Sequence, residues 1–464
     1  MNKSEIERPN GGALLNAFED KTTVKKSEIN SPLRGLGGST AIIGTGIAGM
    51  GCGHFLQKET DLTFYEQNDY VGGHTNTVTV DEDGKPVYID TGFMVFNYKT
   101  YPNLCKLFAE IKAPVKKTDM SFSVQHVPTG LEYSGSSVNH LFAQRKNIFN
   151  PKYIKMLMQI GRFNKESVKI LDDPKYANYS IGQYIKEFNF GEEMLWKYLV
   201  PMSSAVWSTP MEQMLDFPAV TLIRFFMNHG FLGLDTQHQW YTLDKGSQAY
   251  REILIKPFKD KIYMNRKAVK VLRMPDGKAM VHASDGTQMV YDRVILACHG
   301  DQALALLAEP TAEEQRLLSN FKYQYNKAVL HTDESIMPKT KLAWASWNYR
   351  IQQENGQLNP STIYWMNRLQ GVSDKKNYFV SINPHAGIDE KKIIKELDYE
   401  HPLFDVPAIN AQAELHKMNQ TGPLYYCGSY FKYGFHEDAF ASSVNLSSQL
   451  LGKAVYDDRV VEPV

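Results

Sequence analysis

Residues 41–66, AIIGTGIAGMGCGHFLQKETDLTFYE, constrain the fold of this chain more than any other stretch. Ala41, Ile42 and Ile43 form the kind of apolar run that makes a buried parallel strand. Gly44, Gly46 and Gly49 follow at G-x-G-x-x-G spacing. In such a turn the first glycine permits the tight bend, and the second lets backbone approach a pyrophosphate. The third lets the helix pack closely on the strand. The spacing predicts a helix from Ile47 through Ala48 to about Lys58, with its first N–H groups free to face an anion. A second strand over Leu62, Thr63, Phe64 and Tyr65 ends at Glu66, where a carboxylate accepts both hydroxyls of a ribose. Strand, turn, helix, strand and acid in this order predict a dinucleotide-binding unit.

The chain has 464 residues, enough for two lobes around this unit. Its 51 basic and 51 acidic residues cancel, so no basic excess points to nucleic acid. Cys52, Cys105, Cys298 and Cys427 are far apart in sequence and fit no zinc spacing. They read as reduced thiols of a cytoplasmic protein, and no metal is expected. No run approaches twenty uncharged apolar residues, so no transmembrane helix is expected. Residues 1–37 carry mixed charges and read as an N-terminal extension. The aromatic share of 12% fits either a large apolar cavity or an aromatic core.

Beyond Glu66 and Gln67 stands a second glycine pair, Gly72 and Gly73, followed by His74 and Thr75. This resembles the doublet of the FAD-containing amine oxidase superfamily, which includes protoporphyrinogen oxidases and carotenoid desaturases. There the doublet passes close to the pyrophosphate and flavin, and arginine usually follows it where this chain has His74. The strand pair over residues 75–80 and 87–90 leads to Gly92 and Phe93, similar to a step that lies against the flavin in the family. The strand over residues 291–297 resembles the second FAD fingerprint, and in the family the backbone of the residue matching Val269 contacts the adenine. Near the C-terminus, Gly428 and Ser429 stand where many relatives have a glycine and an acid. Asp438 stands where amine oxidases often have glycine, at the start of a helix expected to point at the flavin.

The resemblance implies non-covalent FAD. It assigns the cofactor to Gly44, Gly46, Ile47, Ala48, Gly49, Glu66, Gln67, Gly72, Gly73, His74, Thr75, Gly92, Phe93, Val269, Ala297, Gly428, Ser429, Asp438 and Ala439. It implies an α/β, two-lobed flavoprotein. A Rossmann-like FAD-binding domain is expected from residues 38–114, 241–310 and 411–464. A substrate domain with a mixed, mostly antiparallel sheet plus helices is expected from residues 115–240 and 311–410. Within it, the apolar stretch 217–227 reads as a buried helix lining a lipophilic pocket. A plain core helix and a helix dipping into a membrane surface are the alternatives.

A finer resemblance, at Ala205-Val206-Trp207-Ser208, Trp344-Ala345-Ser346-Trp347-Asn348-Tyr349 and Trp365-Met366-Asn367, is to a bacterial branch of NAD/FAD-binding proteins. That branch is often found beside, or fused to, cyclopropane fatty acid synthase-like methyltransferases. It implies a hydrophobic, lipid or fatty-acyl substrate and a methyltransferase partner. The candidate active-site residues are Phe435, His436 and Lys327. Phe435 falls where many amine oxidases place one tyrosine of an aromatic cage. Lys327 falls near a lysine that holds a water at the flavin. His436 reads as a proton donor or flavin hydrogen-bond partner. Trp207, Trp344, Trp347, Tyr349, Trp365 and Asn367 are candidate pocket residues. The expected activity is FAD-dependent oxidation, desaturation or isomerisation of a lipid-derived substrate, in the cytoplasm or at the inner membrane's periphery. The alternatives are an amine oxidase, a carotenoid-type desaturase or isomerase, and a flavin-binding accessory subunit of a lipid methyltransferase.

Overall fold

A computed structural model describes residues 36–233, 236–385 and 387–463. The N-terminal extension expected over residues 1–37 lies outside the described residues, apart from Leu36 and Gly37.

The apolar run at the start of the fingerprint becomes the strand Ser39–Ile43, at the centre of a five-stranded parallel sheet. Ile42 pairs with Phe64 of Asp61–Tyr65 on one side and with Ile295 of Arg293–Leu296 on the other. Ile262–Tyr263 and Leu424–Tyr426 form the two edges. A parallel sheet covered on both faces requires apolar side chains on both, which is why this strand reads as a continuous run. The helix Ile47–Leu56 follows the glycine turn and packs on the C-terminal helix His436–Leu451. A side chain at Gly51 would collide with Ser443 at 2.2 Å, so the two helices approach at backbone distance. The sulfur of Cys52 on the first helix lies 3.8 Å from that of Cys427, which follows the edge strand Leu424–Tyr426, and all four cysteines are free thiols.

The second sheet has seven strands, in the order Ile393–Leu403, Lys322–His331, Phe379–Ile382, Gln357–Trp365, Trp347–Glu354, Phe122–His126 and Leu131–Ser134. All its pairs are antiparallel except that between Trp347–Glu354 and Phe122–His126. A helical block packs beside it, including Pro151–Glu166, Val200–Trp207 and Ala219–Asn228. In Ala219–Asn228 the side chains of Ala219, Leu222, Ile223, Phe225 and Phe226 are buried, so this helix belongs to the core rather than to a membrane surface. No helix among the described residues is long and apolar enough to cross a membrane. The sheets, the segment 91–95 that follows the hairpin Thr77–Glu82/Lys85–Asp90, and the helical block enclose one large cavity.

Candidate functional site

The cavity holds about 910 Å³. Its wall begins at residues 43–48 and 66–68, passes Gly72, Gly73, His74, Gly92 and Phe93, and ends at Phe435, His436 and Ala439. Val269, Ala297, Gly428 and Ser429 also line it. The expected cofactor residues Gly44, Gly46, Ile47, Ala48, Glu66 and Gln67 are therefore gathered along one wall.

At the fingerprint end, the Glu66 carboxylate accepts the backbone N–H of Thr45 at 3.0 Å and that of Asn68 at 2.9 Å. A side chain at Gly46 would meet nothing within 4 Å, so the space beside it belongs to the cavity. Gly73 lies opposite, at φ +57°, and a Cβ there would come within 3.4 Å of the Gly46 Cα. The helix Ile47–Leu56 carries no side-chain cap at its N-terminus, which leaves its first N–H groups for an anion. Gly49 is not on the wall. A Cβ on it would sit 2.1 Å from the Gly44 carbonyl oxygen, so it serves the packing of helix on strand.

His74 stacks on Tyr399, with ring centroids 4.8 Å apart, and lies 5.1 Å from His401. Its Nε2 is buried without a protein partner. Burial holds the ring's pKa well below the ordinary histidine value, so it is a neutral imidazole. A buried polar atom left open on a cavity wall is a feature that a bound ligand satisfies. Thr75, expected to touch the cofactor, is not on the wall. Its hydroxyl lies behind it, 2.7 Å from that of Tyr250.

At the other end, the His436 ring stacks on Phe93 at 3.9 Å. Its Nε2 lies 2.6 Å from the Tyr250 hydroxyl. Burial lowers His436 to about 3 and raises the Tyr250 phenol, so a neutral imidazole and a neutral phenol share this hydrogen bond. Phe435 stacks on Phe225 at 5.0 Å and lies 5.9 Å from the Trp207 ring.

Two further expectations fail. Asp438 is not on the wall; its carboxylate turns back and accepts the Phe435 N–H at 2.9 Å, closing the first turn of the helix. Lys327 is half exposed and pairs with Glu396 at 2.7 Å. Its neighbours Asn326 and Ala328 are fully buried, so strand alternation turns Lys327 away from the core. The lysine on the cavity wall is Lys267, beside Ala268 and Val269. Of the candidate pocket residues, Trp207 and Trp347 line the cavity. Trp344 and Trp365 pack with Phe379 in a separate cluster, and Tyr349 is buried off the wall. Asn367 bonds the carbonyls of Ser373 and Lys376.

His229 was not among the candidates. It ends the apolar helix and lines the cavity. Its Nδ1 lies 2.9 Å from the Phe225 carbonyl, and its ring stacks on Phe225 at 3.8 Å. Burial lowers it to about 4, so it is neutral, with Nδ1–H donating to the carbonyl and Nε2 left as an acceptor. Around it stand Phe231, Trp240 and Phe435, and Trp207 packs against the same Phe225 ring. A histidine four residues after a phenylalanine, at the end of an apolar run, was the sequence signal. Among the described residues no cluster of histidine, cysteine or acid could hold a metal.

Residues 47–373 match the family described as flavin containing amine oxidoreductase. No curated protein is significantly similar in sequence. Among solved structures, a fatty acid isomerase from P. acnes that produces CLA superposes with a TM-score of 0.60 at 15% identity, covering 87% of this chain and 96% of its own. Cyclohexylamine oxidase from Brevibacterium oxydans IH-35A gives 0.65 at 11% identity, over 89% of this chain and 99% of that one. Putrescine oxidase bound to putrescine gives 0.60 at 14% identity, over 90% and 99%. At these identities the likeness is one of fold.

Proposed function

This chain belongs to the flavin-containing amine oxidoreductase family and is an FAD-dependent oxidoreductase, and from that premise we propose that its substrate is neutral and hydrophobic, a fatty-acyl chain. Fold alone does not choose, since a fatty acid isomerase and two amine oxidases share it. The character of the cavity wall around His229 carries the reading.

That wall is aromatic, and the histidine within it is neutral. A desolvated alkylammonium needs a counter-ion. The carboxylates on the wall are Glu66, Asp398 and Glu400. Glu66 is engaged at the fingerprint end, Asp398 accepts the exposed Tyr325 hydroxyl, and Glu400 lies 3.4 Å from His299. None stands among Trp207, Phe225, His229 and Phe435. An acyl chain gains from the same surface, at about 0.8 kcal/mol for each methylene buried.

The open cradle at Gly46 and the unpartnered Nε2 of His74 fit the cofactor. Gly44, Gly46 and Gly73 with the uncapped helix would hold its diphosphate, Glu66 its ribose, and Gly92, Phe93, Phe435 and Ala439 its ring. When bound, FAD supplies the two-electron acceptor. The protein's own part is to exclude water with the aromatic wall and to orient the substrate. The Nε2 of His229 is placed to accept a hydrogen bond or proton from it. The N-terminus of His436–Leu451 favours negative charge at the ring end.

The test is product analysis after incubating the FAD-loaded protein with acyl phospholipids, unsaturated fatty acids, carotenoids and alkylamines. Altered acyl chains, with turnover reduced in His229→Ala at full FAD content, support the reading. Turnover of amines alone contradicts it.

A further inference from the structure

We propose that the turn at residues 145–149, with the helix that follows it, docks this protein on an anionic lipid bilayer. The inference does not depend on which substrate the cavity takes.

Charge is the first observation. The whole chain is neutral, yet from Tyr133 to Lys165 it carries six lysines or arginines and no aspartate or glutamate. Apolar exposure is the second. Phe149 is 87% exposed, and Ile148, Met158 and Val138 are exposed with it. A soluble surface rarely presents large apolar side chains together without a use.

The tip is held rather than loose. The Arg145 guanidinium bonds the Phe142 carbonyl and the Asn139 side-chain oxygen, each at 2.7 Å. Asn150 caps the next helix by accepting the N–H groups of Lys152 and Tyr153. Between these two anchors, the 3-10 turn Arg145–Phe149 presents Ile148 and Phe149 outward. On the helix Pro151–Glu166, Lys155 and Met158 are three residues apart and share an exposed stripe.

Beside the tip lies a polar hollow of about 370 Å³, lined by Lys146, Lys152, Lys197, Asn147, Asn150 and Gln144 among others. Lys197 is paired with Glu193, which also lines the hollow. Lys146, Lys152 and Lys155 form no ion pair among the described residues. An aromatic and an aliphatic side chain that can enter the acyl boundary, flanked along the chain by Lys146 and Lys152 that stay with the headgroups, is the pattern of an interfacial anchor. Each such lysine contributes about fivefold to binding an anionic surface. The same helix packs on Glu192–Met194, whose chain continues into Val200–Trp207, and Trp207 lines the cavity. Docking surface and substrate wall are thus parts of one helical block.

The experiment is sedimentation of the FAD-loaded full chain with vesicles of phosphatidylcholine, or of phosphatidylcholine with phosphatidylglycerol, at low and raised salt. The expected result is binding to the anionic vesicles that weakens with salt. It should fall about tenfold or more in Ile148→Ser/Phe149→Ser and in Lys146→Glu/Lys152→Glu. Melting temperature and flavin content should not change. Equal binding to both vesicles, or none, overturns the proposal. So does anionic binding that ignores Phe149→Ser, which marks a general polyanion site, or a dimer split by that variant without vesicle binding, which marks a protein interface.

Discussion

The Tyr250 hydroxyl lies 2.6 Å from Nε2 of His436 and 2.7 Å from the Thr75 hydroxyl, so a short relay fixes the imidazole at the end of the cavity. Tyr250 is fully buried, whereas His436 keeps an edge on the cavity wall. Tyr250→Phe leaves Nε2 without this hydrogen-bond partner, at a cost of about 1–3 kcal/mol in ring placement. Turnover is expected to fall about tenfold at unchanged FAD content. Steady-state kinetics beside the flavin-to-protein ratio checks this, and an unchanged kcat would mean that the Tyr250–His436 hydrogen bond is immaterial to turnover.

Two neighbouring glycines separate cofactor binding from folding. Gly46→Val places its side chain in open cavity, so the protein should fold and melt normally but carry no FAD. Gly49→Ala drives a methyl to 2.1 Å from the Gly44 carbonyl and should destabilise the fold by about 1–3 kcal/mol. Thermal melts and the visible flavin band distinguish the two outcomes.

His74→Ala removes the Nε2 that stands without a protein partner on the cavity wall. The loss of one buried hydrogen bond to the cofactor should weaken FAD binding about tenfold. Titration of the apoprotein with FAD, followed by quenching of flavin fluorescence, measures the change.

His331 predicts acid lability away from the site. Its Nδ1 accepts the Asp333 N–H at 3.1 Å, and its Nε2–H donates to the Ser381 hydroxyl at 2.8 Å. Burial lowers its pKa to about 4, against about 6.5 in the unfolded chain. The unfolded state therefore binds the proton more tightly. The stability that His331 contributes is complete above pH 6.5 and is lost as pH falls towards 4, by about 2 kcal/mol at pH 5. Urea midpoints at pH 7 and pH 5 should differ less in His331→Gln than in the wild type.

What could be read in the sequence was local. The glycine turn, its flanking strands and Glu66 form one contiguous pattern, and the wall at residues 43–48 and 66–68 follows it. Lys327 failed because its environment depends on which face of a strand it occupies, and the buried Asn326 and Ala328 decide that. Asp438 failed because a carboxylate at the third position of a helix has a nearer partner in the backbone of Phe435. His229 and Phe435 are about two hundred positions apart, and only the fold brings both against Phe225. No local pattern could have joined them, and none marked Phe149 as exposed.

The most direct test of the account is an anaerobic spectral titration of the FAD-loaded protein. An unsaturated acyl lipid is predicted to bleach the visible flavin band, and an equal concentration of alkylamine to leave it unchanged. Bleaching by the amine alone, with the lipid recovered unaltered, would contradict the central claim.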